Sequence, residues 1–365
     1  TTVETITTPH VPTAPTPLFP ALSTILASKD AQEKSIATFA TLTAKVEELQ
    51  AAYFNSTASE AVKAEASALS NTINEGIANR TYNDEDVAGL IEQIDALIIK
   101  LAIPAEAENA SDNNPVSMTS LIKSASFDDG EGGNSIAGWN GTEGYNFGND
   151  ATQKGALALE FYNKKFDLNQ TIKGLPNGTY KITVTAFYRA GSTTDDYAEY
   201  SANGNANSNA FLYAVTNDTV KAPVTLLSSG ACEDMGVTGV TNIEDTELYV
   251  PNDMVSATAY FTDLEKYLNE IVVKVTDQIL TLGMKKDVTL SSGNDWVIMD
   301  NWTLTYYGPN SSLGTAIESV NNSQPAKVEI YNLNGIRMST FAKGINIIKM
   351  TAADGSVTVK KVNIK

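Results

Sequence analysis

The sequence predicts a multidomain α + β protein, with an N-terminal three-helix bundle, a central β-sandwich of the jelly-roll type and a small C-terminal all-β domain. Apolar residues recur at helical spacing early in the chain. About eight alternating segments punctuated by turn residues follow, and a second alternating stretch ends the chain. The predicted segments are a Thr/Pro-rich leader at 1–20, a helical bundle at 21–110, the jelly roll at 111–309, a linker at 310–325 and the C-terminal β domain at 326–365.

The composition is that of a folded, acidic protein. The 365 residues carry a net charge of −18, and the pI is about 4.5. Nucleic acids and anionic membranes need basic patches, so we expect no nucleic-acid partner. No apolar run is long enough to span a bilayer, so no transmembrane segment is predicted. The chain has a single histidine, His10, and a single cysteine, Cys232. A histidine-based triad, a Cys–His nucleophile and a conventional zinc site therefore all lack parts.

The leader is too rich in Thr and Pro to build a core and is predicted to be an extended strap. Capping boxes predict helix starts at Asp30 with Glu33 and at Thr57 with Glu60, and Asn83 can cap a third helix. Short links between such helices favour an antiparallel bundle that acts as a spacer. The three apolar series are Ile36, Phe39, Leu42, Val46 and Leu49; Val62, Ala66, Leu69, Ile73 and Ile77; and Val87, Leu90, Ile94, Leu97 and Leu101.

The middle of the chain alternates with the period of β-strands. A helix over Met254–Leu268 interrupts them, and the Asn-Gly pair before Thr179 favours a tight hairpin. In the C-terminal β domain, Asn334-Gly335 and Asp354-Gly355 predict two hairpins. The predicted strands of the middle domain are Ala156–Phe161, Phe166–Ile172, Thr179–Tyr188, Ala210–Val215, Val220–Leu227, Ile271–Val275, Gln278–Met284 and a last strand within Gly293–Gly308.

That last strand, G-N-D-W-V-I-M-D-N-W-T-L-T-Y-Y-G, is the most informative segment. One face is predicted to carry Asp300 among apolar neighbours. A buried carboxylate is costly unless it is paired, hydrogen-bonded or bound to a metal, so Asp300 is predicted to be a fixed polar anchor. The apolar residues on the same face are Trp296, Ile298, Trp302, Leu304 and Tyr306.

Several of these segments resemble known families. The middle domain resembles the galactose-binding-like jelly rolls of secreted carbohydrate-binding modules through S-F-D-D-G-E-G-G, G-W-N at Gly138–Asn140, L-P-N-G-T-Y-K-I-T-V-T-A-F-Y-R and the last strand. Together with Y-V-P-N-D-M at Tyr249–Met254, it is similar to cell-surface proteins of gut Bacteroidetes. The tail, with V-E-I-Y-N-L-N-G-I-R-M and V-K-K-V-N-I-K, resembles C-terminal β domains of exported Bacteroidetes proteins, some of which are secretion-sorting signals.

The resemblance implies a structural calcium ion between the domain entrance and the last strand. Asp128, which follows Phe127, and Asp300 match those positions, and carboxylate oxygens suit Ca²⁺. The alternative is that Asp300 only accepts hydrogen bonds from backbone amides. No organic cofactor is expected.

Sugar recognition needs aromatic faces and planar polar groups. The stretch from Arg189 to Asn209 is predicted to be a long loop of this chemistry, with Arg189, Tyr197, Tyr200, Asn203 and Asn205 as ligand-binding candidates. The alternative is a solvated loop without a ligand. Two further candidates, Trp139 and Tyr145, lie in G-W-N-G-T-E-G-Y, where Trp139 suits a core position equally well.

The predicted function is that of a non-catalytic protein, secreted or displayed at the cell surface in association with the outer membrane, whose jelly roll binds a glycan or polysaccharide. Other surface proteins are the partners in the alternative reading, a structural or adhesive component without a sugar site. The 43 acidic residues offer many carboxylate pairs, but no motif singles one out for glycoside hydrolysis, so no enzymatic activity is expected.

Overall fold

The structure is a computed structural model that describes residues 18–141, 143–147, 158–313, 327–332, 335–338, 342–351 and 357–364. It contains α-helices and several antiparallel sheets, which confirms the prediction of a mixed α + β protein at that level. The chain divides into two compact units after Pro104. No helix among the described residues is both long and apolar enough to cross a membrane.

The first unit consists of three helices around one apolar core. They are α1 (Leu18–Asn55), α2 (Glu60–Ala78) and α3 (Asp84–Leu101). All three contribute buried residues at the helical spacing seen in the sequence. The core residues are Leu42, Val46, Leu49, Ala58, Ala66, Ile73, Val87, Ile94, Leu97 and Leu101.

Two of the three predicted helix starts differ from the structure. Asn83 does cap α3, because its side chain accepts hydrogen bonds from the backbone N–H groups of Glu85 and Asp86. Asp30 instead lies inside α1, since no Gly or Pro interrupts the helix there. The N-cap of α2 is Ser59 rather than Thr57, and its side chain makes no capping hydrogen bond.

Only the second half of α1 is packed. The helix has 38 residues, whereas α2 has 19 and α3 has 18. No described side chain before Leu42 is buried, and Ile36, which was predicted to face the core, is 70% exposed. The neighbouring Ser35 still donates a hydrogen bond to Asp84 at the start of α3, so the apolar series predicted one core position too many although α3 reaches this height.

The second unit begins at Ala105, before residue 111, where the sequence predicts the start of the jelly roll. A 3-10 helix over Ala105–Asn109 belongs to it. Just after that helix, the Asp112 carboxylate accepts hydrogen bonds from Ser311 and Ser312, which follow the strand Asp295–Tyr306. These contacts join the start of the unit to the segment after that strand.

Antiparallel pairing runs through two sheets of this unit. The strands are β1 (Val116–Ser117), β2 (Leu159–Tyr162), β3 (Phe166–Lys173), β4 (Gly178–Ala190), β5 (Ala210–Val215), β6 (Thr219–Pro223), β7 (Val240–Asn242), β8 (Tyr249–Pro251), β9 (Leu268–Val275), β10 (Ile279–Lys286) and β11 (Asp295–Tyr306). One sheet has the order β1-β11-β4-β9, with β2 also beside β11, and the other has the order β3-β10-β5-β6. The strands β7 and β8 pair with each other.

The central strands β4 and β11 are the most buried. The first six residues of β11, from Asp295 to Asp300, are all buried, so this half of the strand is covered on both faces rather than one. A register shift between Asp300 and Thr303 then interrupts the pairing with β4. Asn301 sits in the left-handed region with φ of 55°, the geometry of a β-bulge that re-aims the residues around it.

Two helices of the second unit differ from the prediction. The predicted loop after Arg189 contains α4 (Thr193–Asn203) instead, because Ser192 and Asp195 form a capping box at its start. The predicted helix from Met254 is shorter than expected: α5 (Met254–Thr262) ends where the chain turns into β9.

The described C-terminal residues form a separate four-stranded antiparallel sheet of order β13-β12-β14-β15. Of the two predicted hairpins, Asn334 and Asp354-Gly355 lie outside the described residues, as do positions 1–17 of the leader and 314–325 of the linker. The strands are β12 (Lys327–Asn332), β13 (Arg337–Met338), β14 (Gly344–Thr351) and β15 (Val357–Ile364).

Candidate ligand-binding cavity

A polar cavity of about 520 Å³ opens in the second unit where strand ends and helix starts converge. Its volume is within the range of small-molecule sites. The strands β2, β4 and β11 contribute one wall, and the N-terminal ends of α4 and α5 contribute the other. The lining residues are Glu160, Tyr162, Arg189, Gly191, Ser192, Thr193, Thr241, Asn252, Asp253, Met254, Asn294 and Trp296.

Capping boxes fix the two helix ends at the cavity. Ser192 accepts a hydrogen bond from the Asp195 backbone N–H at the start of α4. Asp253 accepts one from the Ser256 backbone N–H at 2.7 Å at the start of α5. Such reciprocal caps hold the first turn of each helix in one geometry, so this wall is pre-formed.

Arg189 is the cation of the cavity wall. It lies near the end of β4 and is only 8% exposed. Its Nε donates to the Asn294 carbonyl at 3.2 Å, and one Nη donates to the Asn252 Oδ1 at 3.0 Å. The guanidinium carbon is 5.0 Å from the centre of the Trp296 ring, a cation–π distance. Burial lowers the pKa of Arg189.

Glu160 and Tyr162 alternate with buried residues along β2 and supply an acceptor and an aromatic face. The Glu160 carboxylate accepts from Trp296 Nε1 at 2.6 Å and from Asn146 Nδ2 at 2.7 Å. Tyr162 is 44% exposed, and its hydroxyl donates to the Asn294 Oδ1 at 2.7 Å. The ring is therefore held in place while part of its surface stays accessible.

The arrangement suits a ligand that both donates and accepts hydrogen bonds. Arg189 only donates, the Glu160 carboxylate only accepts, and the Asn252 and Asn294 amides can do either. The exposed part of the Tyr162 ring adds an apolar surface beside these polar groups.

Of the predicted sugar-binding residues, the cavity contains Arg189 alone. Trp139 is 6% exposed and packs against Phe127 and Trp302 at centroid distances of 5.6 Å and 5.0 Å. A ring buried in this way offers no free face, so Trp139 is a core residue and not a stacking platform. Tyr145 is 37% exposed and packs edge-on against Phe147.

The four candidates on and after α4 do not line the cavity. Tyr197 packs partly against the apolar core around Trp296. Asn203 donates to Glu199 at 2.8 Å, and Asn205 accepts from the Leu226 backbone N–H at 2.8 Å. Tyr197, Tyr200, Asn203 and Asn205 therefore lie outside the cavity that contains Arg189, and the two amide side chains are engaged in hydrogen bonds within the protein.

Sequence reasoning did not identify Glu160, Tyr162, Asn252 and Asn294 as site residues. Two of these four residues lie in segments with recognisable motifs: Asn252 belongs to the Y-V-P-N-D-M segment, and Asn294 precedes the last strand in G-N-D-W. Glu160 and Tyr162 occupy alternate positions of a short strand, where their polarity resembles that of any solvent-facing strand residue.

The predicted calcium ligands lie together. Asp300 is 5% exposed, and its Oδ1 accepts the Asn301 backbone N–H at 2.7 Å. Burial, with a smaller contribution from the negative charge of Asp128, raises the pKa of Asp300 to about 7, although the Asn301 backbone hydrogen bond acts in the opposite direction. The two carboxylates repel each other when both are ionised, and a cation bound to both would relieve that repulsion.

The carboxylates alone do not complete a metal site. Among the described residues, no group of three or more His, Cys, Asp or Glu side chains could hold an ion. Because Ca²⁺ takes six to eight oxygen ligands, Asp128 and Asp300 would need backbone or amide carbonyls and water as further ligands.

Comparison with known proteins assigns no family. No protein-family model matches the chain, and no curated protein matches it. Among solved structures it is similar to "The structure of the M60 catalytic domain with the CBM51-1 and CBM51-2 domains from Clostridium perfringens ZmpB", with 11% identity and a TM-score of 0.18. The match covers 56% of this chain and 18% of that one, so it spans less than a fifth of that protein's chain. A likeness of this size establishes neither a shared fold nor a shared function.

Proposed function

We propose that the part of the second unit that ends with β11 is a jelly-roll carbohydrate-binding domain and that the cavity between β2, β4, β11 and the starts of α4 and α5 is its glycan site. The observation that carries the proposal is the combination of the buried Arg189 donor, the Glu160 acceptor and the accessible Tyr162 ring in one cavity. Sugars present vicinal hydroxyls beside an apolar ring face, and this set of groups is complementary to both.

The rest of the chain is proposed to display this domain. The first unit would be a three-helix bundle that acts as a spacer, and the C-terminal sheet would be a sorting-type domain of a secreted or outer-membrane-associated surface protein. The sequence segments that resemble Bacteroidetes surface proteins support this part of the proposal. Calcium at Asp128 and Asp300 would be structural, because Asp300 is buried apart from the residues that line the cavity.

Replacing Tyr162 by Ala should weaken glycan binding at least about tenfold, because it removes the accessible ring of the cavity. We expect wild-type dissociation constants of about 10 µM to 1 mM, which correspond to about −7 to −4 kcal/mol. A glycan array identifies the ligand, and isothermal titration of wild type and Tyr162→Ala then measures the change.

The matched control is Tyr200→Ala, which removes the same side chain from α4 outside the cavity. It tests the prediction from the sequence, under which Tyr197 and Tyr200 hold the sugar. Loss of binding in Tyr200→Ala but not in Tyr162→Ala would place the site on α4. An array without any hit at high protein concentration would favour the structural or adhesive alternative.

The domain is proposed to bind glycans without cleaving them. Both Glu160 oxygens accept hydrogen bonds from protein donors, and Asp253 is engaged as a helix cap. Neither carboxylate is arranged as a free general acid. We expect no release of reducing ends from glycans that bind, as measured by a reducing-sugar assay over many hours. Release at a rate that Glu160→Gln abolishes would show that the protein is a glycosidase.

A further inference from the structure

The charges around the cavity bear on the class of sugar that it takes. Two of the lining residues are acids, Glu160 and Asp253, and Arg189 is the single basic residue among them. The carboxylate of the buried Asp196 and the carboxylate of Glu160 both act electrostatically on Arg189. The guanidinium charge is therefore offset by more than one carboxylate, and the cavity as a whole is acidic.

The helix ends do not reverse this balance. The N-terminal ends of α4 and α5 carry partial positive charge. Residues at both ends line the cavity: Ser192 and Thr193 for α4, and Met254 for α5. Each end already has its own acid. Asp195 accepts from the Ser192 hydroxyl at 2.7 Å, and Asp253 accepts from the Ser256 N–H at 2.7 Å. These capping carboxylates offset the two partial charges.

Glu160 and Arg189 are linked through Trp296, which donates to the carboxylate and lies under the guanidinium. An uncharged sugar can satisfy both groups, because one hydroxyl donates to the carboxylate while its neighbour accepts from the guanidinium. A sugar carboxylate can gain only from Arg189, and it meets the like charges of Glu160 and Asp253 in a partly desolvated space, where repulsion is weakly screened.

We propose that the cavity selects uncharged sugar units and rejects acidic ones such as uronic and sialic acids. The inference rests on the proposed function and specifies its ligand class. It assigns Glu160 a role in specificity, since the carboxylate that accepts from a neutral sugar is also the group that repels an acidic one.

The test uses methyl glycosides of the hexose that the array identifies and of its uronic acid, which differ only in the carboxylate at C6. Titration of the wild type should show binding of the hexoside and at least about tenfold weaker binding of the uronide, a difference of about 1.4 kcal/mol. Raising the salt concentration should reduce this difference in affinity between hexoside and uronide, because screening weakens the repulsion.

Glu160→Gln should reduce the difference in affinity between hexoside and uronide several-fold, because it removes the negative charge and so strengthens uronide binding. The amide oxygen of the glutamine can still accept the hydrogen bond from Trp296. Glu233→Gln, an exposed acid outside the cavity lining, is the charge-matched control and should leave this difference unchanged. Equal or tighter binding of the uronide by wild type would overturn the selection while leaving the glycan site in place. Absence of binding by every glycoside would overturn the proposed function and the selection together.

Discussion

Replacing Lys286 by Met should destabilise the second unit by about 3–5 kcal/mol, because it leaves a buried carboxylate without its counter-charge. Lys286 and Asp295 are both fully buried, with Nζ 2.6 Å from Oδ2. They join β10 of one sheet to β11 of the other, and Nζ also donates to the Val288 carbonyl at 3.0 Å. Urea unfolding followed by tryptophan fluorescence measures the loss, since Trp139, Trp296 and Trp302 all belong to this unit.

The neighbouring residue provides the control. Lys285 pairs with Asp287 at 3.0 Å at the surface, so Lys285→Met should cost less than about 1 kcal/mol. A double variant, Lys286→Met with Asp295→Asn, should recover much of the stability because no buried charge remains. If Lys286→Met proves no more harmful than Lys285→Met, the buried pair does not hold the two sheets together.

The second large effect is a dependence of stability on pH through Asp300. Its pKa of about 7 in the folded protein lies above the usual value of 3.8, so the folded state binds the proton more tightly than the unfolded state. In the presence of a chelator, the contribution of Asp300 to stability should therefore be greatest below about pH 4 and fall by about 4 kcal/mol as the pH rises through 7. Asp300→Asn removes this group and should flatten the profile, which urea unfolding at a series of pH values measures.

Calcium should act in the opposite direction. An ion that binds only the folded state adds about 2.7 kcal/mol at a hundredfold excess over its Kd, and it would favour the ionised Asp300. At pH 8, calcium at this excess should then raise the stability of wild type by about 2.7 kcal/mol, which recovers most of its deficit relative to Asp300→Asn, and should leave Asp300→Asn unchanged. If calcium leaves the wild-type melting temperature at pH 8 unchanged, Asp300 is a buried carboxylate without a metal.

The helical and strand patterns predicted the mixed α + β class and the places of most helices and strands, because burial imposes one period on helices and another on strands. Asn83 was recognisable as a cap, and the burial of Trp302 and Asp300 followed from alternation in β11. The extent of the elements was less predictable. Ile36 continues an apolar series, yet it is exposed, and helical spacing alone does not show which residue of such a series is the last to be buried.

The candidate site was harder to predict than the fold. Arg189 was identified as the first residue of a predicted binding loop, but its partners Asn252 and Asn294 are about 60 and 100 residues away along the chain. The stretch after Arg189 was rich enough in Tyr and Asn to resemble a binding loop. Its capping box instead made a helix, and helix formation left the aromatic rings outside the cavity.

The uneven packing of α1 has a consequence for its dynamics. Helices without tertiary contacts are marginal in water, and local opening costs little where few apolar contacts are lost. The backbone amides of α1 before Leu42 should therefore exchange with solvent deuterium far faster than those between Leu42 and Asn55, although one uninterrupted helix contains both. A single secondary-structure element would thus span two levels of local stability, one set by the helix alone and one set by the core of the unit.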